Sequence, residues 1–306
     1  MNANHSDSID SSEFSEKRGN ASFLIFALVL MLMLTISVLL PLFPNDFWPY
    51  VRIGEQIVTT GEIPTTEFMT YTQYGQPAVY LYWLPSLIFL GVHNVGGVTL
   101  VSILSALCVG IFYTELWLCL RELRIGALTS GLVLVITGLV GVNYWATRPQ
   151  LLTYPLFGLA LLALLRWQKR DDRLIWWLPL LSLLWANLHG SFIIMFFLLA
   201  PALLFGSGNR KKLLLITGLS LAATCVNRYG LQIWTSMFSM VNSESIRSFS
   251  VEWKYPTNEG WQANLFFASI LLIPVLTAFL RPKIPLLYWI WFLGFGWMSF
   301  SAVRYG

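Results

Sequence analysis

Apolar residues in this chain come in long, nearly unbroken runs separated by short polar stretches. The runs cover about 22–43, 97–120, 126–146, 151–167, 174–187, 190–206, 213–226, 263–280 and 284–302. A helix rises ~1.5 Å per residue, so about twenty apolar residues cross a hydrocarbon core of roughly 30 Å. The pattern predicts an all-α fold, a polytopic transmembrane helical bundle of about nine spans. Several runs are short, which suits helices that tilt little or stop inside the protein. The run at 22–43 is too long for a signal-peptide core and has no small-residue cleavage site, so it reads as a retained first span. Residues 1–21 are polar and Ser-rich and read as a disordered cytoplasmic tail. The remainder, 22–306, reads as one transmembrane domain with a first outer loop at 44–96. The sequence stops at Gly306 directly after a span, an ending that a fragment of a longer protein would have.

Composition agrees. Of the 306 residues 56% are hydrophobic and 11% charged, with a mean hydropathy of +0.65. A soluble domain carries about a quarter of its residues as Asp, Glu, Lys and Arg, so a soluble class is excluded. Fourteen Trp and twelve Tyr suit aromatic belts at two membrane interfaces. The net charge of +4 therefore carries no argument for nucleic acid. The three cysteines, Cys108, Cys119 and Cys225, lie in apolar runs without metal spacing, and imply neither a disulfide framework nor a zinc site.

The distribution of charge sets the orientation. A further apolar stretch, 79–95, is ambiguous, and counting it as a span would reverse every later loop. Without it, thirteen of the nineteen basic residues fall on the side of Lys17 and Arg18, in the loops around Arg121, Arg166, Arg210 and Arg281. Six remain opposite: Arg52, Arg148, Arg228, Arg247, Lys254 and Arg304. Basic residues favour the cytoplasmic side. Val79–Val95 accordingly reads as an interfacial helix on the outer leaflet, where Tyr80, Tyr82, Trp83, Pro85 and His93 suit a partly wet position. The expected location is the bacterial plasma (inner) membrane, with the N-terminus cytoplasmic and the C-terminus and active side outside.

In this topology the less ordinary polar residues gather at the outer helix ends. Asp46 stands at the mouth of the first helix. Residues 47–60 follow, patterned like an amphipathic helix, and then a turn-rich segment that ends at Glu67. Beyond come Asn143, Arg148-Pro149-Gln150, Trp185-Ala186-Asn187-Leu188-His189-Gly190, Asn227-Arg228-Tyr229-Gly230, Glu252-Trp253-Lys254 and Arg304. An interfacial Arg or Trp is commonly an anchor. His189 is different, because only a glycine turn separates two apolar segments there. An ionisable group at membrane depth is a functional hypothesis in itself. Glu115, inside the second run, is expected to pair with Arg121 or Arg124. Together, three carboxylates (Asp46, Glu67, Glu252) and four cationic groups (Arg148, His189, Arg228, Arg304) share one face. Carboxylates deprotonate a hydroxyl or hold a divalent metal. The planar fork of arginine suits phosphate. No phosphate-binding glycine loop, nucleophile elbow or zinc-protease helix competes.

Asp46-Phe47-Trp48-Pro49-Tyr50-Val51-Arg52-Ile53-Gly54, with Gly61-Glu62-Ile63-Pro64-Thr65-Thr66-Glu67-Phe68 and Tyr71-Thr72, resembles the first outer loop of bacterial membrane proteins related to the GT-C glycosyltransferases. The Arg148-Pro149-Gln150, Trp185–Gly190, Asn227-Arg228-Tyr229-Gly230 and Glu252-Trp253 motifs are similar too, so the resemblance covers roughly 44–304. It implies a multi-span fold with amphipathic juxtamembrane helices in the first outer loop. It implies transfer of a sugar from a polyprenyl-phosphate donor to a glycan, lipid or protein acceptor at the outer face, with Asp46 as catalytic base or metal ligand and Glu67 as second acid. The cofactor it would admit is a divalent metal, Mg or Mn. Members often carry His at the place of Tyr50, Asp at that of Glu67 and Pro at that of Arg228, so a possible phosphate or metal contact is missing here.

The function expected is therefore an inverting glycosyltransferase. Arg148, His189, Arg228 and Arg304 would neutralise the departing phosphate. Trp48, Tyr50, Gln150, Asn187 and Glu252 complete the substrate site, and Trp185 is a further candidate for stacking on a sugar. Rivals are a polymerase or ligase of lipid-linked polysaccharide, a lipid or sugar transporter, and a non-catalytic subunit that keeps the fold.

Overall fold

The computed structural model describes residues 6–42, 44–242, 254–257 and 259–301, with the side chains of 6–18, 44–46, 240 and 241 outside that description. Among the described residues the structure is helical, with one isolated bridge between Thr66 and Pro77 and no strand. Five helical stretches are long and apolar enough, by length and composition, to cross a membrane. They are Gly19–Leu39, Trp83–Glu122, Ala127–Tyr144, Pro149–Gln168 and Trp261–Leu280. Shorter apolar helices run Leu174–Leu188, Gly190–Phe205 and Leu286–Ser301. Such helices point to a membrane-embedded protein, since lipid demands that each backbone polar group be satisfied within its own segment.

Helix α1 (Ser6–Leu39) continues from its apolar run into the polar N-terminal segment. Helix α2 (Pro44–Thr60) follows, then α3 (Trp83–Glu122). Forty straight residues would reach about 60 Å, twice a hydrocarbon core. The helix is not straight. Gly96 and Gly97 leave helical geometry, and Gly97 has φ 60°, which glycine adopts without a Cβ penalty. The break divides α3 into a short arm, 83–95, and a long arm, 98–122. The apolar stretch 79–95 is thus a helix distinct from the run at 97–120, and it begins at Trp83.

The short arm lies antiparallel on α2. Phe47 meets His93 and Phe89, while Gly54 lies against Ser86 and Leu90. A Cβ at Gly54 would sit 2.5 Å from the Ser86 carbonyl oxygen, so only glycine allows this crossing. Phe47 and Val51 of α2 also share a cluster with Val101, which seats the hairpin on the start of the long arm.

Helix α4 (Ala127–Gly141) lies beside α1, and both pack on the long arm of α3 around Met33, Tyr113, Trp117, Leu134 and Trp145. Phe26 of α1 meets Trp117 at 5.2 Å between ring centroids. A second, larger core joins α5 (Tyr154–Gln168), α6 (Leu178–Leu188), α7 (Ile194–Phe205) and α8 (Arg210–Thr224) around Trp167, Trp185 and Phe192. Helices α9 (Gln232–Asn242), α10 (Trp261–Leu280) and α11 (Leu286–Ser301) are the last of the described helices.

Cross-loop bonds define two ends of this bundle. At one, Glu122 accepts from Arg166 at 2.8 Å and from Lys169 at 3.0 Å, and Asp172 accepts from Lys212 at 2.8 Å. This is the basic end. At the other, Tyr80 bonds Tyr229, the Tyr82 ring meets His189, Asn187 bonds Val226 and Asn143 bonds Gln262. This is the hairpin end, since it carries α2 and the short arm of α3. Loops expected on one membrane side thus share one end of the molecule.

Glu115 departs from expectation. The Arg121 guanidinium bonds the Ile125 carbonyl, whereas the Glu115 side chain packs against Gly158 of α5, and its Oε2 is buried without a hydrogen-bond partner. Helix phase is the reason. Steps of six and nine residues turn Arg121 and Arg124 well away from the Glu115 face at 100° per residue.

Candidate functional site

At the hairpin end three segments converge. Asp46 lies in the first turn of α2, where the helix dipole favours a carboxylate, although its side chain is outside the described residues. Directly after it, Phe47 is fully buried in a cluster that Leu152 also joins. Leu152 belongs to the 3-10 turn Pro149–Thr153, which Arg148 precedes as N-cap. The Thr147 hydroxyl shares a 2.9 Å hydrogen bond with Ser105 on the long arm of α3, and this anchors the Arg148 segment beside Val101 and hence beside Phe47. Arg148 and Gln150 are half-buried.

The third segment is the turn between α6 and α7. Tyr50, one helical turn after Asp46, meets Tyr82 edge-on at 5.6 Å, and Tyr82 in turn meets His189 at 5.4 Å. An aromatic chain thus connects α2 to the buried histidine. Its tautomer follows from its bonds. The Ser191 backbone N–H donates to Nδ1 at 3.0 Å. The Trp185 indole N–H donates to Ser191 Oγ at 3.0 Å, and that hydroxyl lies 2.8 Å from His189 Nδ1. Nδ1 is therefore an acceptor, and the neutral ring carries its proton on Nε2. Ser191 carries no expectation from the sequence, and Tyr82 was expected only at the interface, not beside His189. The Trp185…His189-x-Ser191 spacing was visible for Ser191, while nothing local ties Tyr82 to His189.

The other expected residues divide. Trp48 is exposed and edge-on to His93, at 5.2 Å. Asn187 commits its amide N–H groups to the Leu183 and Val226 carbonyls at 2.8 and 3.0 Å, so it ties α6 to the end of α8. Glu67 holds its own loop together. Its Oε1 accepts from the backbone N–H groups of Met69 and Thr70, while its backbone bonds Gln76 and Gly75. That carboxylate is used in forming a turn. Arg228 is exposed. Glu252 and Arg304 lie outside the described residues.

Tyr80 and Tyr229 join this loop to the rest. The Tyr80 backbone N–H donates to the Tyr229 hydroxyl at 2.9 Å, across a sequence separation of 149 residues. Burial, and after it the Glu67 charge, pushes the Tyr80 phenol up from its ordinary value. Burial does the same to Tyr229. Both phenols are therefore neutral at physiological pH and serve as hydrogen-bonding groups.

Among the described residues no group of three or more His, Cys, Asp or Glu side chains is placed to hold a metal. The metal-ligand expectation rests on Asp46. Chemically, the described groupings supply a neutral histidine N–H donor, a guanidinium and aromatic faces, all at one end of the bundle. Comparison with protein-family models, with curated proteins and with solved structures finds no match.

Proposed function

We propose that the chain is a membrane glycosyltransferase of GT-C type with about nine spans, its hairpin end on the outer face and its N-terminus cytoplasmic. The observation that supports this reading is the meeting of the Asp46 turn of α2, the Arg148 segment and His189 at one end of the bundle through Phe47–Leu152 and Tyr50–Tyr82–His189. The donor is a polyprenyl-phosphate-linked sugar. The acceptor hydroxyl attacks the anomeric carbon, the carbon–oxygen bond to phosphate breaks, and the acceptor proton passes to Asp46. Polyprenyl phosphate departs with its new charge met by Arg148 and by the Nε2–H of His189, an electrostatic role typically worth a few kcal/mol per donor. Attack opposite the leaving group inverts the anomeric centre.

The test is turnover by the purified, lipid-reconstituted protein with a panel of polyprenyl-phosphate sugars. Release of polyprenyl phosphate is expected from the wild type, and Asp46→Asn should abolish it while expression and insertion stay normal. Wild-type turnover by Asp46→Asn would sink the assignment.

A further inference from the structure

At the basic end, far from the site described above, an open groove of about 410 Å³ runs between α1 and the end of α3. It is lined by Gly19, Ser22, Phe23, Phe26, Trp117 and Arg121. Two helical stripes make it. Gly19, Ser22, Phe23 and Phe26 recur at the three- and four-residue spacing of one face of α1, and Trp117 and Arg121 are one turn apart on α3. The walls are therefore aromatic toward the middle of the bundle and polar toward its end.

Arg121 is the feature that commits this groove to a ligand. The described carboxylates in the neighbouring basic-end loops are already engaged: Glu122 by Arg166 and Lys169, Asp171 by Arg173, Asp172 by Lys212. No carboxylate among the described residues pairs with Arg121. Its Nη1 donates to the Ile125 carbonyl at 2.6 Å, which fixes the guanidinium plane and leaves the Nε and Nη2 edge for an oxyanion. The adjacent Ser22 adds a hydroxyl donor. A cation and a hydroxyl at the mouth, above a slot walled by Phe23, Phe26 and Trp117, match a molecule that is anionic at one end and hydrocarbon at the other.

We infer that this groove binds an anionic membrane phospholipid, its phosphodiester on Arg121 and Ser22 and an acyl chain along Phe23, Phe26 and Trp117. The inference needs the membrane setting and is independent of the glycosyltransferase reading. Basic pockets between spanning helices recognise headgroups in this way, and the apolar walls separate such a site from one for free phosphate.

Native mass spectrometry of the purified full chain with added phosphatidylglycerol or phosphatidylcholine tests it. The wild type should retain phosphatidylglycerol in preference to phosphatidylcholine. Arg121→Ala should lower phosphatidylglycerol retention about tenfold, the loss of one charge-assisted bidentate contact, and remove its preference over phosphatidylcholine. Gly19→Trp should lower it too with every described cation kept, because a Cβ at Gly19 meets nothing within 4 Å and the indole can fill the groove without displacing protein. Arg173→Ala, whose guanidinium is engaged by Asp171, should retain the lipid as the wild type does. Excess inorganic phosphate should not displace it. Equal losses from Arg121→Ala and Arg173→Ala would mean diffuse charge attraction and overturn the site. Full retention by Gly19→Trp, or displacement by inorganic phosphate, would overturn the groove as the lipid's seat.

Discussion

The two ends of the bundle are tied by different chemistry. At the basic end, acids and bases from successive loops satisfy one another, as when Glu122 takes both Arg166 and Lys169 and Asp172 takes Lys212. At the hairpin end the ties are neutral: a backbone N–H to a phenol, amides to carbonyls, tyrosine rings to one another and to an imidazole. Charge already met by a partner in the next loop has little left for a substrate. Exposed ion pairs also contribute only about 0–1 kcal/mol each, so the basic end fixes loop positions more than it stabilises the fold. The hairpin end encloses its histidine in aromatic rings and hydrogen bonds that orient it.

The sharpest way to break this comparison is to pry the hairpin apart. Gly54→Ala places a methyl 2.5 Å from the Ser86 carbonyl oxygen and 3.0 Å from Leu90 Cβ. Backbone cannot swing aside, so the short arm of α3 must lift from α2 at a cost of about 1–3 kcal/mol, the usual range for overpacking. Limited proteolysis should then cut within 61–82, while loops 121–126 and 206–212 stay protected. Equal exposure of both ends would show that they are not independent.

A smaller effect is expected from Tyr229→Phe, which removes the acceptor for the Tyr80 N–H and nothing else in that pair. The loss should be about 1 kcal/mol in thermal unfolding, as for one neutral hydrogen bond, together with faster amide exchange at Tyr80. An unchanged exchange rate at Tyr80 would mean that water replaces the phenol at no cost, and that this tie is not part of what holds the loop.

Much of this architecture could be read from the chain because it depends on local sums. Apolar runs marked the helices and kept 79–95 apart from 97–120, while the count of lysines and arginines assigned 79–95 to the interface. The helix break at Gly96-Gly97 agrees with two separate apolar stretches. What could not be read depends on contacts between distant segments. Nothing near Asn187 in sequence shows that its amide will bond the Val226 carbonyl 39 residues later. Tyr82 acquires meaning only when His189 is placed beside it. Glu115 is a different case. Helix phase alone argued against Arg121 and Arg124 as its partners, and that information was in the sequence.

The finest test of the comparison is its response to pH, where the two ends should loosen in opposite directions. At the basic end, two hydrogen bonds from Arg173 hold the Asp171 carboxyl down at about 2, from an ordinary 3.8. A depressed acid contributes above its unfolded pKa and loses that contribution as pH falls through the folded one, so the 171–173 turn should loosen between about pH 4 and pH 2. At the hairpin end the sign reverses. Burial raises the Tyr80 and Tyr229 phenols above the ordinary 10.0, so their contribution is complete below that value and declines as pH rises through the folded pKa values. Amide exchange across an acid and an alkaline series, corrected for intrinsic rates, should show 171–173 opening only in acid and Tyr80 only in base. Both segments opening on the same side would mean that one global event governs them, and the distinction between a charge-paired end and a phenol-tied end would fall.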